Sequence, residues 1–236
     1  MSETTPSGLH EQVLAQLGPA IVSGDVAEGS VLRIEEIGHD HGVSRTVARD
    51  VVKVLESLQV VTSRRRIGIT VRPRSEWNHL DPRMIRWELA GPARDRQLRA
   101  LSELRRGIEP VAAALAASHA DAGQRRRLAA AVDGMAATGR AGDLAAYLAH
   151  DVAFHQVLLE ASGNEMIAGL ASVVGEVLAG RTQHDLMPAR PAAAAIRLHG
   201  DVAEAVAAAD ALTAERAMRA IVDEAQQAME AAFPTR

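Results

Sequence analysis

Alanine divides this chain in two: four alanines precede residue 88 and 42 follow it. From residue 96 to 232 alanine, leucine, valine and arginine dominate, with apolar residues every three or four positions. Such spacing buries one face of a helix. Leu101, Leu104, Ile108, Val111 and Leu115 carry it through Pro110, which should kink the helix rather than end it. Breaks fall at 139–142, at Gly163-Asn164 and at 188–191. No alternating strand pattern, G-x-G-x-x-G or phosphate loop occurs, so a parallel-sheet nucleotide fold is excluded and an all-helical bundle expected.

The first part of the chain has a different character. All five aromatic residues, Trp77, Trp87, Tyr147, Phe154 and Phe233, lie beyond residue 76. The net charge of -4 hides a local reversal, because Ser44 to Arg72 holds seven basic residues against two acidic ones. Residues 76–236 carry 21 acidic against 17 basic side chains, which places a boundary near residue 76. Arginine outnumbers lysine 25 to one, a bias that reads mainly as codon usage and weakens arguments from arginine counts.

Other classes drop out on composition. With no cysteine there is no disulfide framework, thiol nucleophile or cysteine metal site, so any metal ligands are His, Asp or Glu. Apolar runs stay far below the roughly 20 residues that span a bilayer. The N-terminus has no basic start followed by an apolar stretch, and a cytoplasmic protein is expected.

Leu9, Val13, Leu14, Leu17, Ile21 and Val22 predict a first helix closed by Gly24, and a short helix follows from Ile34 to His41. Ser44 is a favourable N-cap for a third, whose apolar stripe is Val47, Val51, Val54, Leu55 and Leu58. That stripe leaves Arg45, Thr46, Arg49 and Lys53 outward. The β-branched runs Val60-Val61-Thr62 and Ile69-Thr70-Val71 flank Arg64, Arg65, Arg66 and Gly68, a hairpin with a basic tip. Three helices and such a hairpin make a winged helix-turn-helix. Arg45 and Arg49, one turn apart, suit guanine edges as bidentate donors, Ser44 and Thr46 suit phosphate or backbone positioning, and a basic wing neutralises phosphates. A basic helix face alone is usually only solvated; the cap, the arginine pair and the wing, in that order, favour DNA binding.

The run IVSGDVAEGSVLRIEEIGHDHGVSRTVARDVVKVLESLQVVTSRRRIGITVRP resembles the winged-helix domain of GntR-family bacterial transcription regulators. The resemblance covers nearly all of residues 8–73. It implies that Arg45 and Arg49 read bases, that Ser44, Thr46 and Lys53 support phosphate contacts, and that Gly68 lets the wing backbone approach the minor groove. Ala48-Arg49-Asp50 departs from the family's usual Arg-Glu-Ala run but keeps Arg49.

In the helical part Asp151 and His155 lie four apart, presenting a carboxylate and an imidazole on one helix face, and His199 lies on a later helix with Val202 and Val206. An isolated pair of this kind is more often a simple hydrogen bond. SELRRGIEPVAAALAASHA, DVAFHQVLLEASGN and RLHGDVAEAVAAAD resemble the six- or seven-helix FCD ligand-binding domain of the FadR-type branch of the same family. That resemblance implies a divalent ion on Asp151, His155 and His199, with zinc, manganese and nickel indistinguishable. The family's fourth ligand, a histidine, is replaced by Ile221. Arg105 matches the family's E-L-R-x-x-I-E arginine and suits a carboxylate clamp; its bland reading is a surface ion pair with Glu109. Asn164 is either an effector contact or a helix cap.

SEWNHLDPRMIRWELAG resembles the linker of galactonate-type repressors of sugar-acid catabolism, and Trp77 and Trp87 are expected to pack between the domains. The expectation is a mainly α protein: a winged-helix DNA-binding domain (1–75), a linker and connecting helix (76–95), and a helical effector-binding and dimerisation domain (96–236). It reads as a homodimeric operator-binding regulator, a repressor released by a small carboxylate or sugar acid. The rivals are the same DNA-binding protein with a ligand-free dimerisation scaffold, and a metal-dependent hydrolase, which lacks an evident general base.

Overall fold

A computed structural model describes residues 6–183 and 193–232; the predicted break at 188–191 and Phe233 lie outside them. Two compact units meet in sequence between Arg94 and Asp95.

The first unit comprises α1 (Pro6–Ser23), β1 (Val31–Leu32), α2 (Ile34–Asp40), α3 (Arg45–Ser57), β2 (Val61–Arg64), β3 (Gly68–Val71) and α4 (Pro82–Ala90). Helix α3 starts where expected, with the extended Ser44 accepting from the Val47 amide at 3.3 Å. It ends at a left-handed Gln59, and the Val60 amide turns back to the Leu55 carbonyl at 3.0 Å. Its buried face is Ala48, Val51, Val52 and Leu55, so two residues of the expected stripe, Val47 and Val54, are only half-buried. These side chains pack on Val13, Leu14, Leu17 and Ile21 of α1 and on Ile37 of α2.

The wing is a three-stranded antiparallel sheet in the order β1-β3-β2. Val31 pairs with Thr70 on one side of β3, and Val61 with Val71 on the other. At its turn, Gly68 has φ +120°, and a Cβ there would lie 2.8 Å from Val31 Cγ1 and 3.0 Å from the Leu32 carbonyl. Only glycine fits both constraints.

Beyond the wing, the chain stays bound to the first unit's core. The Trp77 indole donates to the Arg72 carbonyl at 2.9 Å, and the Asn78 amide to the Leu58 carbonyl at 2.9 Å. Asp81 caps α4 by accepting from the Arg83 amide at 2.8 Å, with Pro82 at the first helical position. Trp77 and Met84 are buried in this core, and the Trp87 ring covers Gly18 of α1. These contacts tie both tryptophans to the first unit's own core. Glu88 is fully buried, with Arg74 Nη2 at 2.5 Å from its Oε1.

The second unit is helical throughout its described residues: α5 (Arg94–His119), α6 (Ala122–Ala141), α7 (Leu144–Ala161), α8 (Glu165–Ala168), α9 (Ala171–Gln183), α10 (Ala193–Ala207) and α11 (Ala211–Ala232). Helix α5 runs through Pro110 without ending. A capping box of Asp121 and Gln124 starts α6, and the left-handed Gly142 stops it. Its core joins Leu128 and Met135 of α6, Phe154 and Leu158 of α7, Val202 and Val206 of α10, and Met218 and Val222 of α11. A smaller cluster of Ala112, Leu159, Val174 and Leu178 ties α5, α7 and α9. No helix among the described residues is long and apolar enough to cross a membrane.

Candidate functional sites

In the first unit, the Ser44 cap sets the first turn of α3 so that Ser44, Arg45, Thr46 and, one turn on, Arg49 and Lys53 are all exposed. Arg45 is held by Glu35 of α2, with Nη2 at 2.5 Å from Oε1, and Lys53 pairs with Asp50 at 2.9 Å. Arg49 makes no ion pair among the described residues. Arg64, Arg65 and Arg66 are exposed at the wing tip, where Arg66 takes a left-handed φ of 68°. Between α3 and the wing runs a groove of about 450 Å³ whose basic lining is Arg33, Arg49, Lys53, Arg64 and Arg65. Sequence alone does not single out Arg33, because only the pairing of β1 with β3 brings it beside the wing.

In the second unit, α7 and α10 bring Asp151, His155 and His199 together, all buried. Their facing atoms form a near-equilateral triangle. Asp151 Oδ1 lies 3.2 Å from His199 Nε2 and 3.5 Å from His155 Nε2, and the two Nε2 atoms are 3.4 Å apart. Asp151 Oδ1 has no hydrogen-bond partner. The opposite ring nitrogens are held from behind: His199 Nδ1 is 2.7 Å from the Ala195 carbonyl, and His155 Nδ1 is 2.7 Å from Glu109 Oε2, off the axis of a formed hydrogen bond. Phe154 packs edge-on to both imidazoles.

This donor set fits a divalent cation. A tetrahedral ion about 2.05 Å from each nitrogen or oxygen ligand sets the ligands roughly 3.3 Å apart, and carboxylate or carbonyl partners behind the imidazoles are the usual orienting shell. Ile221, the residue that the family resemblance puts at the fourth ligand position, is buried on α11 in the same core cluster as Phe154 and Val202.

Arg105 and Glu109 sit beneath the triangle on α5, both buried. Arg105 Nε is 2.5 Å from Glu109 Oε1, and Nη2 lies 3.3 Å from Oε2 and 3.5 Å from His155 Nε2. Burial pushes the Glu109 carboxyl upward, but Arg105 and His155 outweigh it and hold it at about 2. Burial disfavours the imidazolium of His155, yet Glu109 raises it above the ordinary histidine value. Asp151, penalised by burial, is held well below the usual carboxylate range by His155 and His199. Arg105 is buried, as a carboxylate clamp requires, and its ion pair with Glu109, the plainer reading, forms there as well, beside His155.

Two further residues lie outside the triangle. Asn164 is exposed and does not join the buried cluster; its Oδ1 accepts from the Met166 and Ile167 amides at 2.9 and 3.4 Å, capping α8. The cap is one of the two roles that the sequence offered for it. Arg181, unremarked in the sequence, is buried on the last turn of α9, and burial followed by the like charge of Arg105 lowers it to about 10.

A winged helix with an exposed, basic second helix of the helix-turn-helix defines the class, a DNA-binding transcription regulator. Residues 9–71 match the bacterial regulatory proteins of the gntR family, and residues 100–224 match the FCD domain. The chain belongs to the GntR family and carries an FCD domain; the family is one of regulators, not enzymes. It is 33% identical over 167 residues, 70% of this chain and 73% of the relative, to the uncharacterized HTH-type transcriptional regulator YieP of Escherichia coli (strain K12). It is 28% identical over 168 residues, 71% of this chain and 72% of the relative, to the galactonate operon transcriptional repressor of the same organism. Among solved structures, Streptococcus agalactiae GntR is similar with a TM-score of 0.53 at 23% identity, over 92% of this chain and 99% of that one, which shows a common fold.

Proposed function

We propose that this regulator is a homodimeric repressor that binds a palindromic operator and leaves it when a small hydroxy-carboxylate occupies the helical unit. Residues 1–75 are the DNA-binding part in this reading, and 96–236 the effector-binding and dimerisation part. The observation that carries it is the exposed pair Arg45 and Arg49, one turn apart on a capped helix beside the basic wing. An arginine pair so presented reaches guanine O6 and N7 in the major groove. Thr46, Lys53 and the wing arginines take phosphates, and Ser44, whose hydroxyl caps α3, presents the helix N-terminus to one.

In the helical unit, Asp151, His155 and His199 would hold one divalent cation, with zinc, manganese and nickel all compatible with a nitrogen and oxygen donor set. When bound, that ion supplies a Lewis-acid docking point for an effector oxygen. Glu109 orients His155, and Arg105 holds Glu109 in place. The similarity to the galactonate operon repressor supports an aldonate-type acid as the effector.

Selection of bound fragments from random duplexes, repeated with galactonate and gluconate, tests the reading. The expected result is an inverted repeat whose recovery falls when the right acid is present. Recovery without sequence preference overturns operator recognition; an enriched repeat insensitive to any acid overturns effector release.

A further inference from the structure

Arg181 is a buried cation of the helical unit that makes no ion pair among the described residues. It is 9% exposed, and its Nε has no hydrogen-bond partner among the described residues. A buried guanidinium nitrogen left without a partner costs free energy, since its desolvation is not offset by a hydrogen bond. Arg105 differs: Glu109 occupies it through both Nε and Nη2.

Helix packing puts Arg181 beside the triangle. After α8 the chain returns along α7, with Leu159 clustered against Val174 and Leu178, and Gly175 facing Val152 and Gln156. Val174, Leu178 and Arg181 are spaced i, i+4, i+7, on one face of α9. Continuing that antiparallel register past Gly175 sets Arg181 level with the turn of α7 that carries Tyr147 and Asp151. Arg181 interacts electrostatically with Asp151, Arg105, Tyr147 and Glu224.

We propose that Arg181 is the anion-selecting residue of the helical unit, binding a carboxylate of a small acid seated beside Asp151, His155 and His199, while Arg105 serves as a positioning residue for His155. The inference rests on the effector reading above. Two guanidiniums, Arg105 and Arg181, face three carboxylates, Glu109, Asp151 and Glu224, so a divalent cation on the triangle leaves one excess positive charge. A mono- or dicarboxylate with an oxygen available to that centre matches it; an uncharged sugar does not.

The test uses the full chain with sodium gluconate as the probe and glucose as its uncharged counterpart, with zinc present. Arg181→Met should raise the melting temperature of the ligand-free protein by a few degrees, retain wild-type zinc content, and weaken gluconate binding roughly 10- to 100-fold. Arg181→Lys should recover part of the gluconate response, as a point charge without the bidentate fork. The proposal is overturned if Arg181→Met responds to gluconate like the wild type, or if gluconate, galactonate, malate and citrate all fail to stabilise the wild type more than glucose does. Intact carboxylate binding without release from an operator fails the regulatory reading instead and leaves the role of Arg181 standing.

Discussion

Glu35 on α2 holds the guanidinium of Arg45 on α3, Oε1 to Nη2 at 2.5 Å, with both side chains more than half exposed. The first helix of the helix-turn-helix thereby aims a side chain of the second. An exposed pair of this sort contributes at most about 1 kcal/mol to stability, so a base edge or phosphate can compete for the arginine.

Arg45→Ala and Arg49→Ala should each lower discrimination between the operator and a single-base variant by about 1–3 kcal/mol. Fluorescence titrations on paired duplexes check this; unchanged preference removes the residue from base reading. Glu35→Gln, which loosens Arg45, should lower the same discrimination by less than Arg45→Ala does and leave the melting temperature nearly unaltered.

The exposed wing arginines should act through charge. Replacing Arg64, Arg65 or Arg66 by Ala should reduce the slope of log affinity against log salt by about 0.9 for each phosphate that is no longer neutralised, with little effect on sequence preference. A slope that stays constant in all three variants shows that the wing tip does not touch the backbone.

Zinc content after dialysis should be about one ion per chain in the wild type and near zero in Asp151→Asn. Loss of the carboxylate behind an imidazole, as in Glu109→Gln, should weaken zinc roughly 10- to 100-fold. Ile221→His restores an imidazole at the apolar corner and should tighten zinc binding in a competition titration against a chromophoric chelator. Equal zinc retention by wild type and Asp151→Asn rules the triangle out as the site.

Gly18→Ala probes the packing of α4 on α1. A methyl group there overlaps the Trp87 ring. The substitution should cost about 1–3 kcal/mol in urea unfolding monitored by tryptophan fluorescence. A smaller loss would mean that Trp87 moves aside easily.

Local signals are readable wherever they determine structure by themselves. The Ser44 cap and the 3–4 spacing that follows it define α3, and a periodicity unbroken by strand patterns defines the helical unit. Strand β1 is not readable, because two residues become a strand only through pairing with β3, nearly forty positions away. The W-N-x-L-D segment resembles a repressor linker, yet Trp77, Asn78 and Asp81 each have a structural task in the first unit. Arg181 leaves one faint mark, a charged residue continuing the apolar stripe of Val174 and Leu178, which a chain with 25 arginines conceals.

The order of residues alone determined the winged helix, the helical second half and the Asp151/His155 pair, because caps, turns and i, i+4 spacing act over a few residues. Tertiary structure alone decided the triangle in which Asp151, His155 and His199 meet, the approach of the Arg105–Glu109 pair to His155, and the burial of Arg181 within electrostatic reach of Asp151. These outcomes depend on which helix faces meet, and burial then turns an ordinary ion pair into a support for an imidazole by removing the water that would screen it.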